Sequence, residues 1–282
     1  MNAFVVRLMK KFSAQKMIAL LILISQSGDH SNRLFQAIHF EAFALENGMK
    51  FVNLAFFDMQ KYYPNAKQRW IQIVPYITIK LLRRLKLDRK ITQKNIRKTT
   101  NSSKNNYIPR ILLVGGWDFR EHKLTKKYNS YFRKKYEINK EKLEETMLYK
   151  KINKWQQGSI VVGIHIRRGD YREWQNGRFN YGDIVYKKAM VRMSRLIKRH
   201  YNMETKYIIF SNEEVTIESE LINEISRNTW YIDHELMSNC DYLIGPPSTF
   251  TMWASYIGKN KYLHLYNQEN LFELIDFKTC EG

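Results

Sequence analysis

Ser159-Ile-Val-Val-Gly-Ile-His165-Ile-Arg167-Arg168-Gly169-Asp170-Tyr171 joins a run of apolar, mostly β-branched residues to an abrupt cluster of charge. From Ser159 to His165 there is almost no polar alternation, which is the pattern of a strand covered on both faces inside a parallel sheet. Side chains alternate along a strand, so His165 and Arg167 leave on one face, Ile164 and Ile166 leave on the other, and Arg168 points away from His165. Ligands of open α/β sheets bind beyond the carboxyl ends of the strands, and the charge begins at such an end. A guanidinium in that place can grip a phosphate through two parallel hydrogen bonds. The stretch predicts an anion site on a doubly wound α/β sheet.

Working outward, the upstream half repeats the same order. Met17-Ile-Ala-Leu-Leu-Ile-Leu-Ile24 follows a basic lead-in of Arg7, Lys10, Lys11 and Lys16. It reads as a buried strand. The competing reading is a signal peptide, and the run is too short to span a membrane. The strand is preferred because the next segment reads as the loop and helix such a strand feeds. Residues 27–33 form a polar loop at the ligand edge, where Asn32 and Arg33 offer hydrogen bonds to a ligand or, equally, cap a helix and face solvent. A helix is expected over 34–45, with Leu34, Ile38, Ala42 and Leu45 on one face and a stop at Asn47-Gly48. Strands follow at Met49 to Phe57 and at Ile111 to Gly116, then a charged helical stretch from Lys126 to Lys154, with Gln156-Gln157-Gly158 as linker.

Downstream of the opening strand, helical periodicity runs from Tyr181 to Met203, and Tyr207 to Ser211 forms a strand with a polar end. Asp233 is placed to cap a short helix ending at Cys240, Tyr242 to Gly245 forms a brief strand, and Pro246-Pro247 breaks the chain before a helix starting near Ser248. Lys261 to Tyr266 is a last strand. The predicted fold class is α/β with two Rossmann-like doubly wound domains, at residues 1–157 and 158–282.

The 282 residues carry a net charge of +20, from 47 basic and 27 acidic residues. This implies an anionic partner: nucleic acid, a membrane surface or a phosphate-bearing substrate. Most of the excess is local, since residues 60–110 hold 14 Lys or Arg against the single acid Asp88. Within that section Trp70 to Lys86 mixes aromatic, aliphatic and basic residues, which suits a headgroup layer; the plainer alternative is a basic surface excursion. Nucleic-acid binding is the poorer reading, because the excess lies in one insertion and not on a known module. Arg168-Gly169-Asp170 as an adhesion tripeptide is poorer still at the end of a buried strand. Cys240 and Cys280 have neither metal-ligand nor CxxC spacing, so free thiols in a reducing compartment and no metal site are expected.

In a parallel sheet the strand ends at Arg167, Ser211 and Ser248-Thr249 come together. Ser248 or Thr249 at a helix start sets hydroxyls beside unpaired first-turn N–H groups, and Arg167 adds full charge toward the same anion. For Ser248 a simple N-cap is the plain alternative.

These residues carry a resemblance. His165-Ile-Arg167-Arg168-Gly-Asp170-Tyr171 resembles the His-x-Arg-Arg-x-Asp motif of α-1,2- and α-1,6-fucosyltransferases, and the following Tyr favours the α-1,2 group, glycosyltransferase family 11. Phe210-Ser211-Asn212-Glu213 is similar to its Phe-Ser-Asp-Asp segment. Asp233 to Gly245 followed by Pro-Pro-Ser248-Thr249-Phe250-Thr-Met-Trp253-Ala resembles its C-terminal elements, and Asn32-Arg-Leu-Phe35-Gln36 its opening. The match covers roughly 27–57 and 158–266. It departs at Gly28-Asp-His-Ser, where the family has more glycine, at Asn212 and Met252, and over residues 60–110.

The resemblance implies a GT-B-like architecture, two domains facing a cleft, with an acceptor-side N-terminal domain and a nucleotide-sugar domain behind it. It implies GDP-fucose as donor substrate, no other cofactor, no metal, and inversion at the sugar carbon. The expected reaction is transfer to a glycan hydroxyl, α-1,2 to galactose in a bacterial surface polysaccharide, with another nucleotide sugar as the alternative. By position, Arg167, His165 and Asp170 are the catalytic candidates, and Asn32, Arg33, Ser211, Asn212, Ser248, Thr249 and Phe250 the donor-binding ones. Asp29, His30, Asp118 and Asp170 are candidate general bases. A cytoplasmic location is expected, peripheral on the inner membrane face with a lipid-linked acceptor if residues 60–110 meet the bilayer.

Overall fold

The computed structural model describes residues 20–24, 27–67, 89–90, 111–269 and 271–282. The basic lead-in and nearly all of the 60–110 section, with the membrane reading attached to it, lie outside the described residues. The chain forms two compact bodies: the first takes in the described residues of Met1–Gly28, Gln36–Phe57 and Gln68–Leu124, the second Asp29–Phe35, Asp58–Lys67 and Thr125–Gly282.

In the first body β1 (Leu20–Leu23), β2 (Lys50–Asn53), β3 (Arg89–Lys90) and β4 (Ile111–Gly115) form a parallel sheet in the order β2-β1-β4-β3. β1 is central and apolar on both sides for a reason visible in its packing. Leu21 and Leu23 meet Ala37, Phe40 and Ala44 of helix α1 (His30–Glu46) together with Phe119, while Ile24 packs with Leu54 on the opposite face. Each fully buried Leu or Ile contributes about 1.5–3 kcal/mol.

Two expectations shift here. The helix begins at His30, with the Arg33 amide donating to the Asp29 carbonyl at 3.0 Å, so Asn32 and Arg33 lie on its first turn and not in a loop. The strand expected to reach Phe57 stops at Asn53, because Leu54–Phe56 turn into a 3₁₀ segment whose three side chains are all buried.

The second body is built on a five-stranded parallel sheet, order β7-β6-β5-β8-β9, from β5 (Ser159–Ile166), β6 (Glu204–Ser211), β7 (Ile222–Ile225), β8 (Tyr242–Gly245) and β9 (Lys261–His264). Upstream of it the charged stretch forms four short helices, α2 (His122–Lys127), α3 (Asn129–Lys135), α4 (Lys140–Glu144) and α5 (Met147–Trp155); Asn139 interrupts it by accepting from the Glu141 amide. Val162, Ile164 and Ile166 pack in one core with the inner face of helix α6 (Asp183–Tyr201). On the other face Gly163 lies within reach of Leu243, Phe210 and Cys240. That face carries helices α7 (Trp230–Ser238) and α8 (Thr249–Gly258). β5 is thus covered on both sides, which is why its sequence shows no alternation.

β7 was not foreseen, since Ile222-Asn-Glu-Ile225 is a four-residue edge strand with two polar members. The role expected of Asp233 is corrected as well: α7 starts at Trp230 behind Thr229, and Asp233 sits buried within the helix instead of capping it. Among the described residues no helix is long and apolar enough to cross a membrane, and no group of three or more His, Cys, Asp or Glu is placed to hold a metal ion.

Candidate active site

Beyond the carboxyl ends of β6, β5 and β8 the second body encloses a cavity of about 770 Å³. Because β5 lies between β6 and β8, the parallel topology brings three strand ends to one edge. His165 and Arg167 come from β5, Ser211 and Asn212 from β6, and Ser248, Thr249 and Phe250 from β8 and the turn into α8. Asn32, with Asp29 and His30, reaches the cavity from the start of α1, and Asp170 also lines it. Arg33 does not: its guanidinium forms a two-point ion pair with Asp58. Asp118 lies in the first body and does not line the cavity.

Arg167 is held in place before any ligand arrives. Its Nε donates to Asp170 Oδ1 at 2.9 Å, and its guanidinium carbon lies 5.6 Å from the centre of the Tyr171 ring. Tyr171 is anchored in turn, its hydroxyl donating to the Pro247 carbonyl, which ties the turn after β5 to the turn after β8. Arg168 goes the other way. It donates to the Tyr181 carbonyl and, at 2.5 Å, to Asp183 at the start of α6. Gly169 makes the divergence possible with a φ of +59°, where a Cβ would meet Asn212 Nδ2 at 3.1 Å. Asn212 accepts from the Arg168 amide at 2.8 Å, so the residue read as a donor contact also fixes the arginine turn.

His165 is buried, and burial followed by the charge of Arg167 lowers its pKa to about 3. It is a neutral ring, hydrogen-bonded through Nδ1 to Thr251 Oγ1 at 2.9 Å. Phe250 stacks between His165, at 5.3 Å, and His234, at 3.7 Å. His234 is fixed by Ser31, 3.0 Å away, and the Trp230 ring lies tilted against His30 with centroids 3.8 Å apart. His30 itself is shifted down, chiefly by burial. Of these rings His30, His165, Trp230 and Phe250 line the cavity, from positions far apart in sequence.

At the turn into α8, Ser248 acts as the N-cap, accepting from the Phe250 amide at 3.1 Å, and its own amide donates to His264 Nε2 at 3.3 Å. The first-turn amides of a helix have no intrahelical partner and carry partial positive charge, so this end of α8, like Arg167, has the chemistry to hold an anion.

Several lining residues escaped the sequence reading: Asn228, Trp230, Asp233, Trp174 and His264. Asp233 matters most. It is 6% exposed, Ser226 donates to its Oδ1 at 2.5 Å, and burial pushes its pKa up to about 7. A signal was present: Asp233-His234-Glu235 stand between Ile232 and Leu236-Met237 on a helix that packs against the sheet, and polar residues buried on such a helix need a partner or a ligand.

No curated protein matches the sequence. The solved structures similar to this chain include an arginine-to-lysine mutant of Arabidopsis thaliana FUT1 in complex with GDP, 13% identical, covering 95% of this chain and 76% of that one with a TM-score of 0.53. NodZ alpha-1,6-fucosyltransferase soaked with GDP-fucose is 11% identical over 92% of this chain and 97% of that one, with a TM-score of 0.49. Fucosyltransferase NodZ from Bradyrhizobium is 11% identical over 87% and 95%, with a TM-score of 0.46. At such identity the FUT1 likeness speaks for the fold, and the GT-B-like class of two parallel-sheet α/β bodies stands. The model of Glycosyl transferase family 11 matches residues 72–273, which contain the His-x-Arg-Arg-x-Asp stretch and every strand of the second sheet. The chain belongs to glycosyl transferase family 11.

Proposed function

We propose that this glycosyltransferase moves L-fucose from GDP-fucose to a glycan hydroxyl with inversion, α-1,2 to galactose in a bacterial surface polysaccharide. The observation that carries the reading is Arg167, pinned by Asp170 and Tyr171 at a cavity that also receives the N-terminus of α8, in a chain of family 11. In the transfer the acceptor oxygen forms a bond to the anomeric carbon as the bond from that carbon to the β-phosphate oxygen breaks. The electron pair leaves with GDP. Arg167 and the first-turn amides of α8 stabilise the charge that grows there, and they are already oriented before it appears.

The remaining assignments belong to the same proposal. Asn32, Ser211, Asn212, Thr249 and Phe250 contact the donor, Ser248 shapes the helix end, and neutral His165 holds the cavity wall. Arg33 acts through Asp58. Asp170 is occupied by Arg167, which leaves Asp29 and His30 as the cavity-lining groups, among the bases considered, to take the acceptor proton. In this reading residues 158–282 supply the donor domain and 1–157 the acceptor side, except that Asp29–Phe35, Asp58–Lys67 and the stretch from Thr125 belong to the same body as the donor cavity. Binding and hydrolysis of a panel of nucleotide sugars, with and without chelator, tests the donor. GDP-fucose binding no better than UDP-sugars rejects it, and preference for another GDP-sugar moves the assignment to that sugar.

A further inference from the structure

Helix α6 carries a second pattern that the cavity does not use. Val185, Tyr186, Ala189, Met190, Met193, Leu196 and Ile197 are buried against the sheet. On the outer face Ile184, Lys188, Val191, Arg195 and Lys198 recur at spacings of four, three, four and three, so they form one stripe along the helix, and all five are exposed. Ile184 is 59% exposed. Beside the stripe, across the groove, Leu271 is 76% exposed. A groove of about 580 Å³ separates the helix from this C-terminal segment.

The segment is fastened in place. Glu273 accepts from Arg192 at 2.7 Å and from Arg199 at 2.8 Å, and Arg192 Nε donates to the Phe272 carbonyl at 2.5 Å. Those arginines use up the carboxylate of Glu273. Among the described residues Lys188, Arg195 and Lys198 form no ion pair, so the face combines unneutralised cations with outward-pointing aliphatic side chains.

We propose that the outer face of α6, with Leu271, docks the protein peripherally on an anionic lipid surface. A second copy of the chain would set cations against cations. A soluble polyanion would use the cations and leave Ile184 and Leu271 in water. The boundary between headgroups and acyl chains accepts both, with aliphatic side chains entering the apolar edge and cations meeting lipid phosphates. α6 begins at the turn where Arg168 meets Asp183, so the stripe starts at the cavity edge of the sheet and runs away from it.

The test is co-sedimentation of the full chain with phosphatidylcholine vesicles, with and without phosphatidylglycerol, at low and high salt. Binding is expected only with phosphatidylglycerol and is expected to weaken with salt. Lys188→Glu with Arg195→Glu should lower the affinity about tenfold or more. Lys123→Glu with Lys142→Glu makes the same change of net charge on α2 and α4 and should cost far less. Ile184→Ser with Leu271→Ser leaves the charge untouched and should still lower the affinity several-fold, and a Val191→Trp probe should shift its emission to the blue on anionic vesicles. Equal losses in the two charge-reversal pairs overturn the proposal in favour of diffuse attraction to a protein of charge +20. Unchanged binding by the serine pair overturns it in favour of a polyanion surface. No binding to anionic vesicles at low salt overturns it outright.

Discussion

Arg167 and Arg168 are adjacent residues with the same side chain, and the two faces of β5 give them different work. On one face Arg167 enters the cavity, braced by Asp170 and the Tyr171 ring. On the other, Arg168 turns into the protein and binds the Tyr181 carbonyl and Asp183. The first is a charge presented to the cavity; the second is a clamp between the end of the central strand and the start of α6. Because the strand alternates and the turn at Gly169 lets the chain reverse, a pair of identical residues separates into chemistry and architecture.

The largest effect that sharpens this contrast is on the cavity side. Arg167→Ala should lower transfer by roughly 10²–10³-fold, as removal of a preorganised charge-stabilising donor does, while the melting temperature stays near that of the parent. Rate assays beside thermal denaturation measure both, and a large loss of stability with intact transfer would break the distinction.

Next in size is the buried carboxyl on the cavity wall. Asp233 has its pKa raised to about 7 in the folded protein against 3.8 for an unburied carboxyl. Between these values the folded state holds a proton that the unfolded chain has released, so stability should fall as pH rises from about 4 to about 7, by as much as roughly 3–4 kcal/mol from this group. Asp233→Asn keeps an acceptor for Ser226 and removes the ionisation. Its denaturation curves should lose that part of the slope. Glu235, also pushed up to about 7 by burial, contributes its own slope in both proteins, so the difference between them isolates Asp233.

On the far face Arg168→Ala should cost about 2 kcal/mol of stability, the worth of a hydrogen bond to a charged partner, with a smaller change in GDP affinity than Arg167→Ala gives. Denaturant unfolding and calorimetric titration with GDP separate the two; equal losses of GDP affinity would erase the difference between the faces. Smallest of all, Thr251→Val removes the hydrogen bond to His165 Nδ1 and should cost about 1 kcal/mol. Since burial keeps His165 neutral, its ring should add no inflection to the pH–rate profile between pH 5 and 8.

How much of this was legible beforehand varies by element. β5 could be read because a strand buried on both faces leaves an unbroken apolar run, and the separation of Arg167 from Arg168 follows from a period of two. The Ser248 turn could be read because Pro-Pro ahead of a Ser-Thr pair breaks the chain and starts a helix. β7 could not, since four residues on a sheet edge carry too little pattern. The pairing of Arg33 could not be read, because its partner, Asp58, is 25 positions away, and no local rule joins them. Asp233 reads as a cap because Asp at a helix start is usually one; the helix begins earlier, at Trp230, whose ring packs against His30, Tyr62 and His234.

By itself the sequence determined the parallel α/β class, the positions of the apolar strands, the alternation at Arg167 and Arg168, and the family. These are properties of periodicity and short motifs, which act within a few residues. Only the tertiary structure decided which chemistry shares a cavity. It stacks Phe250 against two histidines, brings residues 29–32 to strands more than 120 positions later, pairs Arg33 with Asp58, and buries Asp233 far enough to hold its proton near neutral pH. Desolvation and partner choice depend on what surrounds a group in space, and a chain written in one dimension does not state its own neighbours.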